Sequence, residues 1–393
     1  MSVNTLSFQQ AAAILNELNE QVTGQKAIAP VDLSEYISVG QKTLLTGYDP
    51  LSIGVSQMVG RTIFSYRPYE SPLSILRNTS EEYGAITRKI SPIQQVLEED
   101  GTYSLTDGRH EPDMFSVRKP KLYQTNFYGF DVWDSHVTVP RQQLKNAVLN
   151  PADMGRLLDL VLGTKANEME LSRETFERAT LANAIAATVQ LANPRQVRHL
   201  LTEYNAATGL NLTAEQARQP QNYGPFVKWA YAQIAKVSDL LRAYSSAFHL
   251  NPTEGNILRH TPKDAQRVFV YSGALHEIDA NVLASTFNAS MVKEQLPVTA
   301  SIDFFQSLQS PDSVSVTPAY VGANGAVAEG TPQEVNNIFA VIADRDALGT
   351  NYHDQSVDVT PMESAGKYFN YWYHEARRYW FDAFENMVVF LMD

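Results

Sequence analysis

Residues 150–191 have the sequence NPADMGRLLDLVLGTKANEMELSRETFERATLANAIAATVQL. Apolar residues recur along it three or four positions apart, which predicts one long helix. Asn150 is a good N-cap and Pro151 suits the first helical position, while Asn193-Pro194 ends the pattern. Such a helix is about three times the usual length. We therefore expect it to act as a beam to which the other segments attach.

Ahead of the beam, residues 1–60 have the pattern of several short helices separated by Gly and Pro. Two of them are predicted over residues 32–45 and 49–60. The helix before these two, from about Ser7 to Gly24, has apolar residues at helical spacing that include Phe8, Leu15 and Leu18. These faces need something to pack on, so a docked arm is expected rather than an independent domain.

Residues 61–126 change to strand patterns, with alternation at Thr62–Tyr66 and Ile86–Ile90. Turn residues and prolines lie between them and predict an extended hairpin with little core of its own. It contains an acidic group and a basic group of candidate contact residues: Glu98, Glu99 and Asp100, then Arg118, Lys119 and Lys121. Such a hairpin suits contact with a neighbouring molecule, although a solvated surface hairpin explains the pattern as well.

Beyond the hairpin, Phe127–Val139 is aromatic and β-branched, and residues 140–149 form a short helix. After the beam, helices alternate with strands and predict a compact α/β domain. The helices are expected near 195–207, 225–248, 273–287 and 301–308, and the strands at 267–271, within 310–333 and at 338–342. In the tail, strands 368–373 and 379–384 flank a polar turn at 374–378, and strand 387–392 follows.

Composition excludes several classes of function. The chain has 43 acidic and 31 basic side chains, a net charge of −12, which argues against a protein that binds nucleic acid by electrostatic attraction. It contains no cysteine, so disulfides, thiol catalysis and cysteine-bound metals are excluded. No signal peptide or membrane-spanning stretch is recognisable, and we expect a soluble protein that is intracellular where it is made.

Catalytic motifs are likewise missing from the sequence. There is no phosphate-binding loop, dinucleotide fingerprint or nucleophile elbow, and His276-Glu277 lacks the second zinc ligand because residue 280 is Ala. The pairs Glu98/Glu99 and Asp344/Asp346 are candidate acid/base carboxylates, but turn and helix-start preferences explain them more simply. We predict no enzymatic activity, cofactor or metal site.

Several stretches resemble the major capsid proteins of tailed bacteriophages, which have the Hong Kong 97 fold. They are the approach to the beam, FYGFDV (127–132) and PRQQL (140–144); a strand, DAQRVFV (264–270); ADRDALG (343–349) with TPM (360–362); and a terminal strand, FENMVVF (384–390). The similarity covers essentially the whole chain and lies in its layout and in these local stretches.

The resemblance implies an α+β fold of Hong Kong 97 type. It assigns an N-terminal arm, an extended β-hairpin loop, a peripheral domain whose spine helix spans 151–191, an axial domain, and C-terminal β strands that return to the peripheral domain. The corresponding residues are 1–60, 61–126, 127–194, 195–342 and 343–393.

The resemblance also implies a structural protein that self-assembles into hexamers and pentamers of an icosahedral shell around double-stranded phage DNA, in the cytoplasm of a bacterial host. Scaffolding and portal proteins are expected partners, a decoration protein is a further candidate, and no membrane is involved. Two alternatives stay open on the residues alone: an encapsulin-like shell around enzyme cargo, and a carboxylate-dependent glycan hydrolase that uses the aromatic residues near 368–384.

Overall fold

The computed structural model describes residues 8–24, 32–63, 70–78, 86–94, 119–158, 164–278 and 298–393. The chain divides into two compact units. Unit 1 comprises residues 1–82, 130–176 and 351–378, and unit 2 comprises residues 83–129, 177–350 and 379–393. Each unit is therefore assembled from separate segments of the chain.

The helices are α1 (Phe8–Thr23), α2 (Leu33–Leu45), α3 (Tyr48–Ile63), α4 (Arg141–Leu149), α5 (Pro151–Leu158), α6 (Thr164–Gln190), α7 (Leu200–Thr208), α8 (Ala214–Ala217), α9 (Pro220–Leu240) and α10 (Ser272–Ile278). The strands are β1 (Ile86–Pro92), β2 (Leu122–Tyr128), β3 (Asp131–Pro140), β4 (Val197–His199), β5 (Gln266–Tyr271), β6 (Ala300–Ile302), β7 (Val314–Val316), β8 (Ala319–Val321), β9 (Val327–Glu329), β10 (Gln333–Val335), β11 (Ile338–Asp344), β12 (Leu348–Val359), β13 (Tyr368–Phe381) and β14 (Met387–Leu391).

In unit 1, the predicted arm helices are present and pack into a core with α4, α5, β3 and β13. The Asp32 carboxylate caps α2 by accepting a hydrogen bond from the Glu35 N–H at 2.9 Å, and Gly24 ends α1 with a φ of +71°. Gly40 allows α2 to approach α4 closely, because a Cβ there would clash with the Val148 carbonyl. The arm is thus docked on its own chain, as expected.

The beam is present as α6, which has 27 residues, and its end at Gln190 lies close to the predicted stop. Asn150 caps the preceding helix α5, since its side chain accepts a hydrogen bond from the Ala152 N–H at 3.1 Å. Residues 159–163 between α5 and α6 lie outside the described residues. The prediction of a single helix from 150 to 191 is confirmed over Thr164–Gln190 and untested at that junction.

The unit 1 sheet has the order β12-β13-β3. The predicted turn at 374–378 is wrong, because β13 runs as one strand of 14 residues through it. Its polar residues Glu375 and Arg377 are 2% and 4% exposed and carry ion pairs within the unit. Polarity at this position therefore marks a buried charge network, and not a solvent-exposed turn.

Unit 2 is built on a five-stranded sheet of order β4-β14-β11-β5-β6. The β4–β14 and β5–β6 pairs are parallel, and the two inner pairs are antiparallel. One apolar face of this sheet packs against α7, α9 and α10 in a shared core. The last strand, β14, was expected to return to the peripheral domain, but it lies here, between β4 and β11.

Four further local predictions are corrected by the structure. Residues 62–63 are the end of helix α3 and not the start of a strand, and the segment 195–207 begins with strand β4 before its helix. The segment 301–308, predicted as a helix, contains the end of strand β6. Gly129, with a φ of +89°, divides the predicted strand 127–139 into β2 and β3. In β4 and β6 the pairing partners, Val389 and Tyr271, are distant in sequence. Such short strands depend on non-local pairing, which local patterns do not show.

Candidate functional site: the hairpin base and its anchor

The predicted hairpin is present at its base, which we define as residues 86–94 and 119–128. Strands β1 and β2 pair antiparallel over seven residue pairs, from Ile86 with Tyr128 to Pro92 with Leu122. The strands alternate, so one face of the pair is buried in unit 2 and the other is exposed. The exposed face carries Ile90, Leu122 and Tyr128, which are 58%, 61% and 76% accessible.

On the opposite face, Lys89 holds the hairpin base through three oxygen contacts. Its Nζ lies 2.9 Å from Asp382 Oδ2 and 3.1 Å from Glu385 Oε1, and it donates a hydrogen bond to the Asp346 carbonyl at 2.6 Å. The ammonium also lies 5.6 Å from the centre of the Trp380 ring. Strand β1 is thereby fixed to the segment that connects β13 and β14.

Arg259 adds a second cation to this anchor. Its Nη2 lies 3.1 Å from Glu385 Oε1 and donates to Ser91 Oγ at 2.5 Å, and its Nε donates to the Phe384 carbonyl at 3.1 Å. The guanidinium therefore joins β1 to the same connecting segment. Two cations and two carboxylates form one cluster, in which Asp382 is 1% and Glu385 8% exposed.

Burial governs the protonation of this cluster. Burial raises the pKa of Glu385 to about 7, although Lys89 and Arg259 pull it down. Burial alone would lower the pKa of Lys89, but the charges and hydrogen bonds of Asp382 and Glu385 outweigh it, so the pKa is raised. Lys89 thus stays charged at neutral pH. Glu385, in contrast, gains or loses its proton near neutral pH, because its pKa is about 7.

Aromatic contacts complete the anchor from β2. The Tyr123 ring lies 4.7 Å from that of Phe384, and the Phe127 ring lies 5.8 Å from that of Trp380. Tyr123 and Phe127 are four positions apart in β2. Because side chains alternate along a strand, both project to the buried face. The hairpin base is consequently fixed by ion pairs through β1 and by aromatic packing through β2.

Unit 1 contains a second buried charge network, which joins α6 to β13. Arg77 makes a bidentate contact with Glu170 at 2.6 and 3.2 Å. Arg173 pairs with Glu375, and Arg377 Nε donates to the other oxygen of Glu375 at 2.8 Å. Burial alone would raise the pKa of Glu170, but Arg77 outweighs it and the pKa is lowered. This network fixes the sheet on the helix.

The predicted contact residues fall in different places. Leu15 and Leu18 are buried in the unit 1 core, and Phe8 packs beside it with its ring 6.1 Å from that of Tyr36. These three side chains therefore contact their own chain, and any role between subunits stays a prediction. Lys119 and Lys121 are exposed and come just before β2. The remaining candidates lie outside the described residues: Glu98, Glu99, Asp100 and Arg118.

The anchor residues Arg259, Asp382 and Glu385 were not singled out from the sequence. One signal was available, since the alternation of β1 places Lys89 on the same face as Ser91 and Ile93, which are buried. A lysine on a buried face requires carboxylate partners. The sequence does not show which acids those are, because Asp382 and Glu385 lie about 300 positions further along the chain.

The described residues offer no group of three or more His, Asp or Glu side chains arranged to hold a metal ion. In the same parts of the chain, no helix combines the length and the apolar character that a membrane crossing requires. A cavity of about 280 Å³ in unit 1 is lined by Trp133, Lys165 and Tyr373 and also by Glu375 and Arg377 of the charge network.

The fold is similar to that of a chain in the capsid structure of Staphylococcus phage Andhra, with 11% identity over 81% of this chain and 83% of that chain and a TM-score of 0.54. A chain in the structure of the head fiber and inner core protein gp22 of native bacteriophage P68 matches with 12% identity over 82% and 85% and a TM-score of 0.56. No curated protein sequence is significantly similar.

The family model described as Phi29-like phage major capsid protein matches residues 11–391, from the arm helices to the last strand. This match confirms the predicted resemblance, the fold class and the structural, non-enzymatic role, and it supports neither the encapsulin-like nor the hydrolase alternative. Because the match spans nearly the whole sequence, the chain belongs to the Phi29-like phage major capsid protein family.

Proposed function

We propose that the chain assembles into hexamers and pentamers that close into an icosahedral shell around double-stranded DNA. The match to a major capsid protein family over residues 11–391 carries this proposal. The anchored hairpin base supports it, because its exposed face carries three large apolar side chains while its other face is fixed by ion pairs to the buried carboxylates Asp382 and Glu385. A rigidly held apolar surface suits repeated contacts between copies.

The enclosed DNA would be held without sequence-specific contacts. The net charge of −12 provides little of the phosphate neutralisation that strong DNA binding requires. DNA inside such a shell would thus remain free to move during filling and release. A portal protein, a scaffolding protein and a decoration protein are the expected partners, with assembly in the bacterial host cytoplasm.

Within the shell, residues 61–126 would lie over an adjacent subunit, with Glu98, Glu99 and Asp100 meeting basic groups there. The basic residues Arg118, Lys119 and Lys121 would meet carboxylates of a neighbour. The arm would contribute through the side chains that its own core leaves accessible, such as Leu33 and Leu45, which are both exposed.

A deletion tests the role of the extended loop. Removing residues 95–118 and joining Gln94 to Lys119 through a short Gly-Ser linker retains both strands of the hairpin base. We expect the variant to fold, because the anchor and the β1–β2 pairing are retained, but to lose assembly. Sedimentation of co-expressed subunit and scaffolding protein measures this. Shells formed in wild-type yield by the variant would overturn the role given to the loop.

A further inference from the structure

The turn between strands β8 and β9 contains the one Asn-Gly pair in the sequence, Asn324-Gly325. The two strands pair antiparallel over three residues each. The Gly322 N–H extends this pairing by donating a hydrogen bond to the Ala326 carbonyl at 2.9 Å. Residues 323–325 therefore form the loop of a tight hairpin, and both Asn324 and Gly325 are exposed there.

Two hydrogen bonds give this loop a defined shape. The Gly325 N–H donates to the Gly322 carbonyl at 2.9 Å and closes a β-turn. The Ala326 N–H donates to the side-chain oxygen of Asn324, Oδ1, at 3.1 Å. The Asn324 side chain is thus folded back over the backbone that follows it, which holds its amide carbon beside the Gly325 nitrogen.

The same contacts favour an attack of the Gly325 nitrogen on the amide carbon of Asn324. Oδ1 gains negative charge when the nitrogen adds, and the Ala326 N–H already donates to it. Gly325 has no Cβ to shield its nitrogen, and glycine adopts its φ of +78° without strain. One contact opposes the attack, because the hydrogen bond from Gly325 to Gly322 must break before the nitrogen can lose its proton.

We propose that this turn modifies itself, converting Asn324 to aspartate and isoaspartate through a cyclic succinimide. A bond forms between the Gly325 nitrogen and Asn324 Cγ, the bond from Cγ to Nδ2 breaks, and ammonia leaves with the proton of the Gly325 amide. Water then opens the ring at either of its two carbonyls. The net reaction consumes water, releases ammonia and adds a negative charge to each modified subunit. It does not depend on shell formation.

The modification would change the shape of the turn as well as its charge. In isoaspartate the backbone runs through the former side-chain carbon, so the hydrogen bonds that define the turn are disrupted. The turn lies close to β2, since a Cβ on Gly325 would lie 3.3 Å from the hydroxyl oxygen of Tyr123. The new carboxylate would therefore appear near that side chain.

Incubation of the purified full-length protein at mildly alkaline pH, followed by peptide mapping with mass spectrometry, tests the reaction. We expect the peptide that contains residue 324 to gain about 1 Da and to include isoaspartate. Isoaspartate identifies the succinimide route, because direct hydrolysis of the amide gives only aspartate. The exposed Asn336 precedes Asn337 and should react at least about tenfold more slowly, since Asn337 has the Cβ that Gly325 lacks.

The same incubation in guanidinium chloride separates the effect of the folded turn from that of its sequence. We expect the folded protein to react at least as fast as the unfolded chain, because the Ala326 N–H is in place only in the folded turn. A slower reaction in the folded protein would overturn the proposal, since the turn would then protect Asn324.

Two variants complete the test. Asn324→Gln retains the amide but places it one carbon further from the backbone, so it should stay unmodified and melt like wild type. Asn324→Asp carries the charge of the product and should elute from an ion-exchange column with the modified wild-type protein. If wild type acquires no isoaspartate at position 324, the self-modification is refuted, whether or not the protein forms shells.

Discussion

Lys89 is the side chain that attaches strand β1 to the segment between β13 and β14. Its ammonium contacts two carboxylates and one carbonyl oxygen. These contacts fix the orientation of the hairpin base. Its sequence neighbours Arg88 and Ile90 project to the opposite, exposed face. Anchoring and contact with other molecules are thus assigned to alternate residues of one strand.

Replacing Lys89 with Met should destabilise the free subunit by about 3 kcal/mol, because Asp382 and Glu385 remain buried with one cation fewer. Denaturant unfolding of the unassembled protein measures the change. Arg88→Met is the matched control one residue away, on the exposed face, and is expected to change stability by about 0.5 kcal/mol or less. Equal effects of the two substitutions would contradict the anchor.

The raised pKa of Glu385 predicts a pH dependence with a definite sign. Its pKa is about 7 in the folded protein and 4.5 ordinarily, so the folded state holds the proton more tightly. This contribution to stability is fully present below pH 4.5 and is lost as the pH rises through 7, with a total of up to about 3 kcal/mol.

Unfolding of wild type and Glu385→Gln at pH 5 and pH 8 isolates this effect. Wild type should gain stability relative to the variant when the pH falls from 8 to 5, because the amide does not titrate. A stability difference between the two proteins that is the same at both pH values would show that Glu385 does not titrate as proposed.

At the scale of elements, charges that are buried in pairs decide the course of β13. Glu375 accepts hydrogen bonds from Arg173 of α6 and Arg377 of its own strand. Glu375→Gln should therefore cost about 3 kcal/mol, since Arg377 loses its carboxylate and Arg173 keeps only Glu170, at 3.7 Å. Thermal unfolding measures this, with the exposed Asp358→Asn as control. A neutral effect of Glu375→Gln would mean that the network adds nothing to the stability of unit 1.

The contact between α2 and α4 depends on one missing side chain. Gly40→Ala would place a methyl group against the Val148 carbonyl, and because backbone does not yield easily we expect a loss of about 1 to 3 kcal/mol. Ser38→Ala, at an exposed position of the same helix, should be neutral or slightly stabilising. Denaturant midpoints of the two variants are the measurement, and equal midpoints would contradict the close approach.

Most helices and strands could be predicted from the sequence because the signals that form them lie within a few residues of one another. The cap at Asp32, the stop at Gly24 and the alternation in β1 act within a few residues of the chain. They failed where pairing is distant: β4 is defined by Val389, and the 374–378 segment is held extended by residues near position 173. For the same reason the anchor was missed, since Arg259 and Glu385 meet only after the chain has folded.

Taken together, the described parts of the chain offer surfaces for contact and no pocket with an arrangement of catalytic groups. Among the described surfaces, the exposed face of the hairpin base stands out, and it suits contacts between copies. The ion-pair cluster of Lys89 and Arg259 with Asp382 and Glu385 lies on the opposite side and holds this surface in place. A shell built from many copies then gains stability from many modest contacts, each repeated by symmetry.

Electron microscopy of the purified protein shows whether the chain assembles into shells. The protein would be imaged alone and after co-expression with a scaffolding protein, with light scattering to determine the mass. We predict closed shells, or rings of five and six subunits. A homogeneous monomer of 43.8 kDa under both conditions would contradict the claim that this chain forms a capsid shell.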